Sequence, residues 1–177
     1  RALINEPEVL LMDEPFNQVD AAFRDNLQQD IKQIVKETGL TIILISHDPA
    51  EVLSLSDRLM VMKKGKIVDQ GSPEELYYHP THSYTAQLLA KSNLLSPEQA
   101  TALGIQTTQQ IAIHQEWIKV KRNASGLLKV KDIRFRGFYN ELTVGNEHVS
   151  LHLVDYPIST IEKGAAVEIS IDKYISF

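Results

Sequence analysis

The carboxylate pair Asp13-Glu14 and the imidazole of His47 are the side chains whose types and placement could do chemistry. Each closes an aliphatic run: Val9-Leu10-Leu11-Met12 leads into Asp13-Glu14-Pro15, and Thr41-Ile42-Ile43-Leu44-Ile45-Ser46 leads into His47-Asp48. Runs of this length, too short to cross a membrane, have the pattern of strands buried on both faces of a parallel sheet. In open α/β sheets ligands bind beyond the carboxyl ends of such strands, so two tips would deliver Asp13, Glu14 and His47 to one edge. An aspartate there can hold Mg²⁺, often through water, beside nucleotide phosphates. Glu14 would project farther and could orient or deprotonate an attacking water, while His47 could touch the terminal phosphate. Taken alone, Asp-Glu-Pro is a common surface turn and a histidine before a helix cap is often structural. Both tips separated by one amphipathic helix form a conjunction that is harder to produce by accident.

The elements that must position these groups are legible. Asp20 is placed to cap a helix from about residue 21 to 37, with Phe23, Leu27, Ile31, Ile34 and Val35 on one face and Gly39 as its stop. Asp48-Pro49-Ala50-Glu51 reads as an N-cap, a first-position proline and a reciprocal glutamate opening a short helix. Residues 58–62 and 66–70 form an expected hairpin turned at Lys63-Lys64-Gly65. Ser72-Pro73-Glu74-Glu75 repeats the capping logic, and a further helix is expected over 83–91. Residues 92–110 read as a polar connector with a helical turn set by Ser96-Pro97-Glu98-Gln99 and ended at Gly104.

From Ile111 the period changes to two. Ile111/Ile113, Ile118/Val120, Leu128/Val130, Val149/Leu151/Leu153 and Val167/Ile169/Ile171 alternate with polar residues, and glycines punctuate them. Short strands at this spacing predict a small closed β-sheet or barrel. The fold class is therefore α/β followed by a small all-β domain: residues 1–91, a linker over 92–110, and a β-domain over 111–177.

Composition bounds the functions. The chain has 177 residues and a formal net charge of -5. Residues 1–110 carry 9 Lys/Arg against 15 Asp/Glu, a balance of -6, and residues 111–177 carry 9 against 8, a balance of +1. The absence of cysteine excludes disulfides and thiolate metal sites and fits a reducing compartment. No apolar stretch approaches the roughly 20 residues of a spanning helix, and no signal peptide opens the chain. Starting at Arg1-Ala2-Leu3 without Met, the chain reads like a piece of something longer.

Val9 to Phe16 resembles the Walker B strand of an ABC transporter ATPase subunit, with Asn17-Gln18-Val19-Asp20 as its D-loop and Ile45-Ser46-His47-Asp48 as its switch-histidine loop. Residues 57–67 and 71–77 resemble the segment that follows in importer ATPases. Arg1-Ala2-Leu3 is similar to the end of the helix that begins with the family's signature motif. The resemblance covers about the first 90 residues and implies roles. Asp13 would serve Mg²⁺ through water, Glu14 would be the catalytic base, and His47 would sense the γ-phosphate of ATP. Asp20 would act across a nucleotide-sandwich homodimer. The D-loop departs from Ser-Ala-Leu-Asp at its first three positions, a mild variation in coupling. The second half is similar to the regulatory OB-like or TOBE-type module of many importers, carried by Ile113 to Val120 and by Phe135 to Val144.

No Gly-x-x-x-x-Gly-Lys-Ser/Thr, signature motif or glutamine loop occurs in the 177 residues. Without a loop of backbone N–H groups to cradle phosphates, these residues alone are expected neither to bind ATP usefully nor to hydrolyse it. The resemblance also implies partners: a second ATPase subunit, transmembrane permease subunits and, indirectly, a periplasmic or surface solute-binding protein. It implies a peripheral place on the cytoplasmic face of the membrane. Ferric iron, polyamines and sugars are the implied classes of cargo, with iron favoured by analogy.

The alternative is a non-catalytic regulatory module whose barrel binds an anion, a protein or nucleic acid. Lys119, Lys121, Arg122, Lys129, Lys131, Arg134 and Arg136 lie near Trp117, Phe135, Phe138 and Tyr139, a mixture that could hold single strands by attraction and stacking. Against this, alternation sets Lys119 and Lys121 opposite Ile118 and Val120, the aromatics are expected to turn into the core, and the balance is only +1. His79, His82 and His114 are too scattered for zinc. Tyr77, Tyr78 and Tyr84 are expected to pack between the linking helices.

Overall fold

A computed structural model describes residues 7–177, so the reading of Arg1-Ala2-Leu3 lies outside the described residues. The chain divides into two compact units, residues 1–59 and 60–177.

In the first unit β1 (Val9–Asp13) and β2 (Thr41–Ile45) run parallel, in register from Val9 opposite Thr41 to Asp13 opposite Ile45. Helix α1 (Ala21–Thr38) connects them, as a parallel pair requires, and α2 (Pro49–Leu55) follows β2. Gly39 stops α1 in the left-handed conformation, where its N–H donates to the Val35 carbonyl at 2.9 Å. The expected burial on both strand faces is not found. Leu10, Met12, Ile42 and Leu44 are half-buried, whereas Val9, Leu11, Ile43 and Ile45 are exposed. Two strands and one connecting helix cover one face only, and alternation sends every second side chain to the other.

The apolar face of α1 is also corrected. Ile31, Ile34 and Val35 are half-buried as expected, but Phe23 and Leu27 are exposed, and Arg24 and Gln28 take the covered positions one step round the helix. Asp20 does occupy the N-cap position and its carbonyl accepts from Arg24 at 3.1 Å, but its side chain makes no capping hydrogen bond.

The second unit opens with the hairpin β3 (Leu59–Lys63) and β4 (Lys66–Gly71), followed by α3 (Pro73–Tyr78) and α4 (Ser83–Ala90). A complete capping box starts α3, with Ser72 Oγ accepting from the Glu75 N–H and the Glu75 carboxylate accepting from the Ser72 N–H. The expected connector is folded in. It forms β5 (Asn93–Leu95) and α5 (Pro97–Thr101), which has its own capping box, and it buries Leu95 and Ala100.

The strands β6 (Ile111–Ile113), β7 (Ile118–Arg122), β8 (Leu128–Phe135), β9 (Asn140–Gly145), β10 (Ser150–Asp155), β11 (Ala166–Ile171) and β12 (Ile175–Ser176) complete the unit. They form an antiparallel sheet in the order β10-β9-β8-β11-β7 and a three-stranded sheet in the order β12-β6-β5. No backbone ladder joins β10 to β7 among the described residues, so the expected closed barrel is not completed by hydrogen bonds: a five-stranded sheet whose edge strands β10 and β7 approach each other stands beside a smaller one. Asn93 links the two, donating to the His152 carbonyl at 2.8 Å and accepting from its N–H at 2.7 Å. The side chains of Ile111, Ile113, Ile118, Leu142, Val144, Leu151, Leu153 and Val167 meet in one cluster at 0–1% exposure. Each such side chain is worth roughly 1.5–3 kcal/mol relative to an exposed one.

Lys119 and Lys121 face solvent and Ile118 is buried, as alternation predicts. Phe135 and Phe138 are not turned into the core but are 71% and 72% exposed. They lie at the turn of the β8–β9 hairpin, where Phe135 pairs with Asn140 and Phe138 belongs to the connecting loop. Trp117 is buried, stacked on the fully buried His114 at 3.7 Å, with Tyr77 edge-on to the same imidazole. Tyr77 donates to Glu116 at 2.8 Å. Burial pushes the Glu116 carboxyl up, but His114, the local backbone and Tyr77 outweigh it and hold the group below its usual range. Burial, with Glu116, pushes the Tyr77 phenol up. His82 caps α4, accepting from the Tyr84 N–H at 3.0 Å.

Candidate functional site

The first unit brings two of the four predicted side chains into contact. The Glu14 N–H donates to the Ile45 carbonyl at 2.9 Å, carrying the β1–β2 ladder one residue past the strand. Glu14 then turns into the left-handed region, with φ of 47°. A non-glycine residue held there costs on the order of 1–3 kcal/mol, a conformation that persists only where its surroundings enforce it. The turn sends the carboxylate across to the neighbouring tip, where Glu14 Oε1 meets His47 Nδ1 at 2.8 Å. Its other oxygen, Oε2, is buried and has no hydrogen-bond partner among the described residues. The imidazole itself stands mostly in solvent, at 74% exposure.

Electrostatics follow from that contact. The hydrogen bond to Glu14 raises the His47 pKa above 6.5, and the charge of the same carboxylate raises it further; Asp48 and Glu51 add smaller contributions. With Nδ1 occupied by Glu14, Nε2 is the nitrogen available to a ligand, and in the imidazolium it is a donor.

Asp13 stands exposed at the end of β1, opposite Ile45. Asp20 is exposed at the start of α1, and no hydrogen bond or ion pair joins it to Asp13, Glu14 or His47 among the described residues. No cluster of three or more His, Cys, Asp or Glu side chains able to hold a metal occurs among the described residues. The exposed strand-tip carboxylate of Asp13 is nonetheless a hard-oxygen donor that suits Mg²⁺. That ion needs only one or two protein carboxylates when phosphates and water complete its shell.

Arg24 and Glu51 lie outside the motifs that mark functional residues in the sequence, and Ser46 stands in the switch-histidine segment with no role assigned to it there. The expected capping box at Asp48 is replaced by a different arrangement. Asp48 accepts from the Ala50 N–H at 2.9 Å, but Glu51 does not reach back to cap. It accepts instead from Ser46 Oγ at 2.6 Å, and Ser46 Oγ accepts from the Asp48 N–H at 3.0 Å. Arg24 lies 3.6 Å from Asp48 and 3.7 Å from Glu51, whose side chain is 5% exposed. A glutamate three residues after a cap does invite notice, but the partner of Glu51 is decided by the loop.

No protein-family model matches the chain. Over 183 residues it is 32% identical to the spermidine/putrescine import ATP-binding protein PotA of Bacillus thuringiensis (strain Al Hakam), spanning all of this chain and 53% of the relative. The protein of the same name from Clostridioides difficile (strain 630) is 31% identical over 192 residues, 98% of this chain and 54% of that one. That of Vibrio cholerae is 33% identical over 141 residues, 76% and 37% respectively. A solved structure of cbiO1 from Clostridium perfringens, part of the ABC transporter complex cbiONQ, is 32% identical over 47% of this chain and 33% of that chain. Its TM-score of 0.39 is too low to bear on the site. The chain spans about half the length of the curated relatives it matches, and it is related from end to end to the ATP-binding proteins of ABC importers.

Proposed function

We propose that these residues supply one part of an ATP-hydrolysing site that drives solute import. The observation that carries this reading is the 2.8 Å contact between Glu14 and His47, made at adjacent tips of parallel strands. Glu14 is the general base. His47 holds the carboxylate through Oε1, and that carboxylate accepts a proton from the attacking water. His47 takes a terminal-phosphate oxygen through Nε2, the nitrogen that Glu14 does not occupy, which donates in the imidazolium form that the contact with Glu14 favours. Asp13 would hold Mg²⁺ through water, which when bound neutralises charge on the β- and γ-phosphate oxygens. Asp20, exposed at the start of α1, is placed to face a second subunit.

The phosphate cradle is not within residues 1–177, so this stretch by itself is not expected to turn over ATP. In the full-length protein two such subunits would close on ATP. Permease subunits would convert that motion to passage, and a solute-binding protein would deliver cargo. A peripheral position on the cytoplasmic membrane face accords with this, and no helix among the described residues is long and apolar enough to cross a membrane. The names of the relatives move the proposed cargo from ferric iron to polyamines. The 111–177 stretch serves as the regulatory β-domain of this subunit.

The test is single-turnover hydrolysis in the full-length protein. Glu14→Gln should bind MgATP with wild-type affinity and lose turnover by about 10³-fold, within the range of a lost general base. His47→Ala should be severely impaired as well. Either variant hydrolysing at the wild-type rate overturns the assignment.

A further inference from the structure

The contact between Glu14 and His47 rests on nothing rigid of its own. His47 follows β2 in a loop, its ring is largely in water, and Ile45 beneath it is 58% exposed. Packing therefore does not set the imidazole's place. A polar chain does. The hydroxyl of Ser46 donates to Glu51 at 2.6 Å and accepts from the Asp48 N–H at 3.0 Å, so it closes the loop on both sides of His47. Glu51 is 4% exposed, and a carboxylate buried that deeply is costly unless it is hydrogen-bonded and its charge is answered. Ser46 supplies the hydrogen bond and Arg24 the charge.

Arg24 belongs to the first turn of α1, with its N–H on the Asp20 carbonyl at 3.1 Å. Its guanidinium lies between Asp48 and Glu51, with Nη1 3.6 and 3.7 Å from the two carboxylates. It occupies a covered position of the helix that the apolar pattern would have assigned to Phe23. An arginine on a helix's inner face, pointed at two carboxylates of the His47 segment, joins the two ends of the candidate site through side chains.

We propose that Arg24, Ser46 and Glu51 are positioning residues: they form a brace that holds His47 against Glu14 and ties the start of α1, with the loop ending in Asp20, to the His47 loop. The brace acts by restricting where the imidazole can stand, and movement at the start of α1 passes through Arg24 to His47. This rests on the proposed roles of Glu14 and His47.

Ser46→Ala in the full-length protein is the decisive variant, because it removes the hydroxyl without altering any charge. The brace predicts that kcat for ATP hydrolysis falls by about 10-fold with KM within about twofold, as expected when a catalytic group is loosened while substrate binding is left intact. It also predicts that the His47 imidazole, followed by NMR, titrates at a lower pH than in the wild type, since its bond to Glu14 is made less often. Loss of a merely structural hydrogen bond would lower the melting temperature and leave that titration in place. Glu51→Gln, which keeps an acceptor for Ser46, should recover most of the kcat that Glu51→Ala forfeits, and Arg24→Ala should fall with Glu51→Ala. If Ser46→Ala keeps wild-type kcat and the wild-type His47 titration while Glu14→Gln abolishes turnover, the brace is wrong and the site stands. If Glu14→Gln and His47→Ala turn over normally, the underlying reading fails.

Discussion

The two units are rich in the same aliphatic residues and use them differently. In the second, Leu142, Leu151 and Leu153 are at most 1% exposed, meeting side chains from both sheets. In the first, Leu11 is 72% and Ile45 58% exposed, on the uncovered side of a two-stranded sheet. Geometry in the second unit is set by packing. At the candidate site of the first it is set by backbone and polar contacts: the extra ladder bond at Glu14, its left-handed φ, and the Ser46–Glu51–Arg24 chain. A site built this way is easier to disturb through hydrogen bonds than through apolar volume.

The largest effect expected to sharpen this contrast is catalytic. Glu14→Gln should remove turnover by about 10³-fold in the full-length protein while leaving denaturant unfolding of the second unit unchanged. Next is Leu151→Ala, which empties space in a closed core and should cost about 2–5 kcal/mol in denaturant titrations. The matching change in the first unit, Leu11→Ala, deletes a side chain already in solvent and should cost less than about 0.5 kcal/mol in these residues. Equal costs for the two leucines would erase the contrast.

A smaller effect is pH-dependent. The folded-state pKa of His47 is raised, first by its hydrogen bond to Glu14, so the pair contributes fully below about pH 6.5 and that contribution fades as pH rises through the folded value. NMR titration should therefore place the His47 midpoint above that of Glu14→Gln, and an unchanged midpoint would show that the 2.8 Å contact does not persist. Smallest of all, Phe138→Ala should alter stability by less than about 0.5 kcal/mol, because its ring is 72% exposed. A larger loss in thermal unfolding would mean that the hairpin end is packed.

Local rules proved good guides where the answer lies within a few residues. The turn chemistry at Gly39, the boxes at Ser72 and Ser96 and the outward lysines at 119 and 121 all follow from neighbours along the chain. The same rules misplaced Phe23 and Leu27, because a helical stripe tells which residues share a face and not which face is covered. They misassigned the partner of Glu51, because the competing hydroxyl of Ser46 reaches it only through the path of the loop. Period two identified strands but not closure, which depends on whether the neighbouring edges of β10 and β7 share a backbone ladder. The strand over Asn93–Leu95 was hidden in a polar stretch because three residues are too few to show a period.

By itself the sequence determined the chemistry on offer: two carboxylates and an imidazole at the ends of aliphatic runs, with no cysteine and no phosphate-cradling loop among 177 residues. Only the tertiary structure decided that Glu14 and His47 touch, that Asp20 stands apart from them, and that Arg24 faces the His47 segment. The physical reason is one of range. Residue type and spacing fix what a side chain can do and which way it leaves its own element. Contact across 33 residues is set by the register of two strands, which the covalent chain does not print.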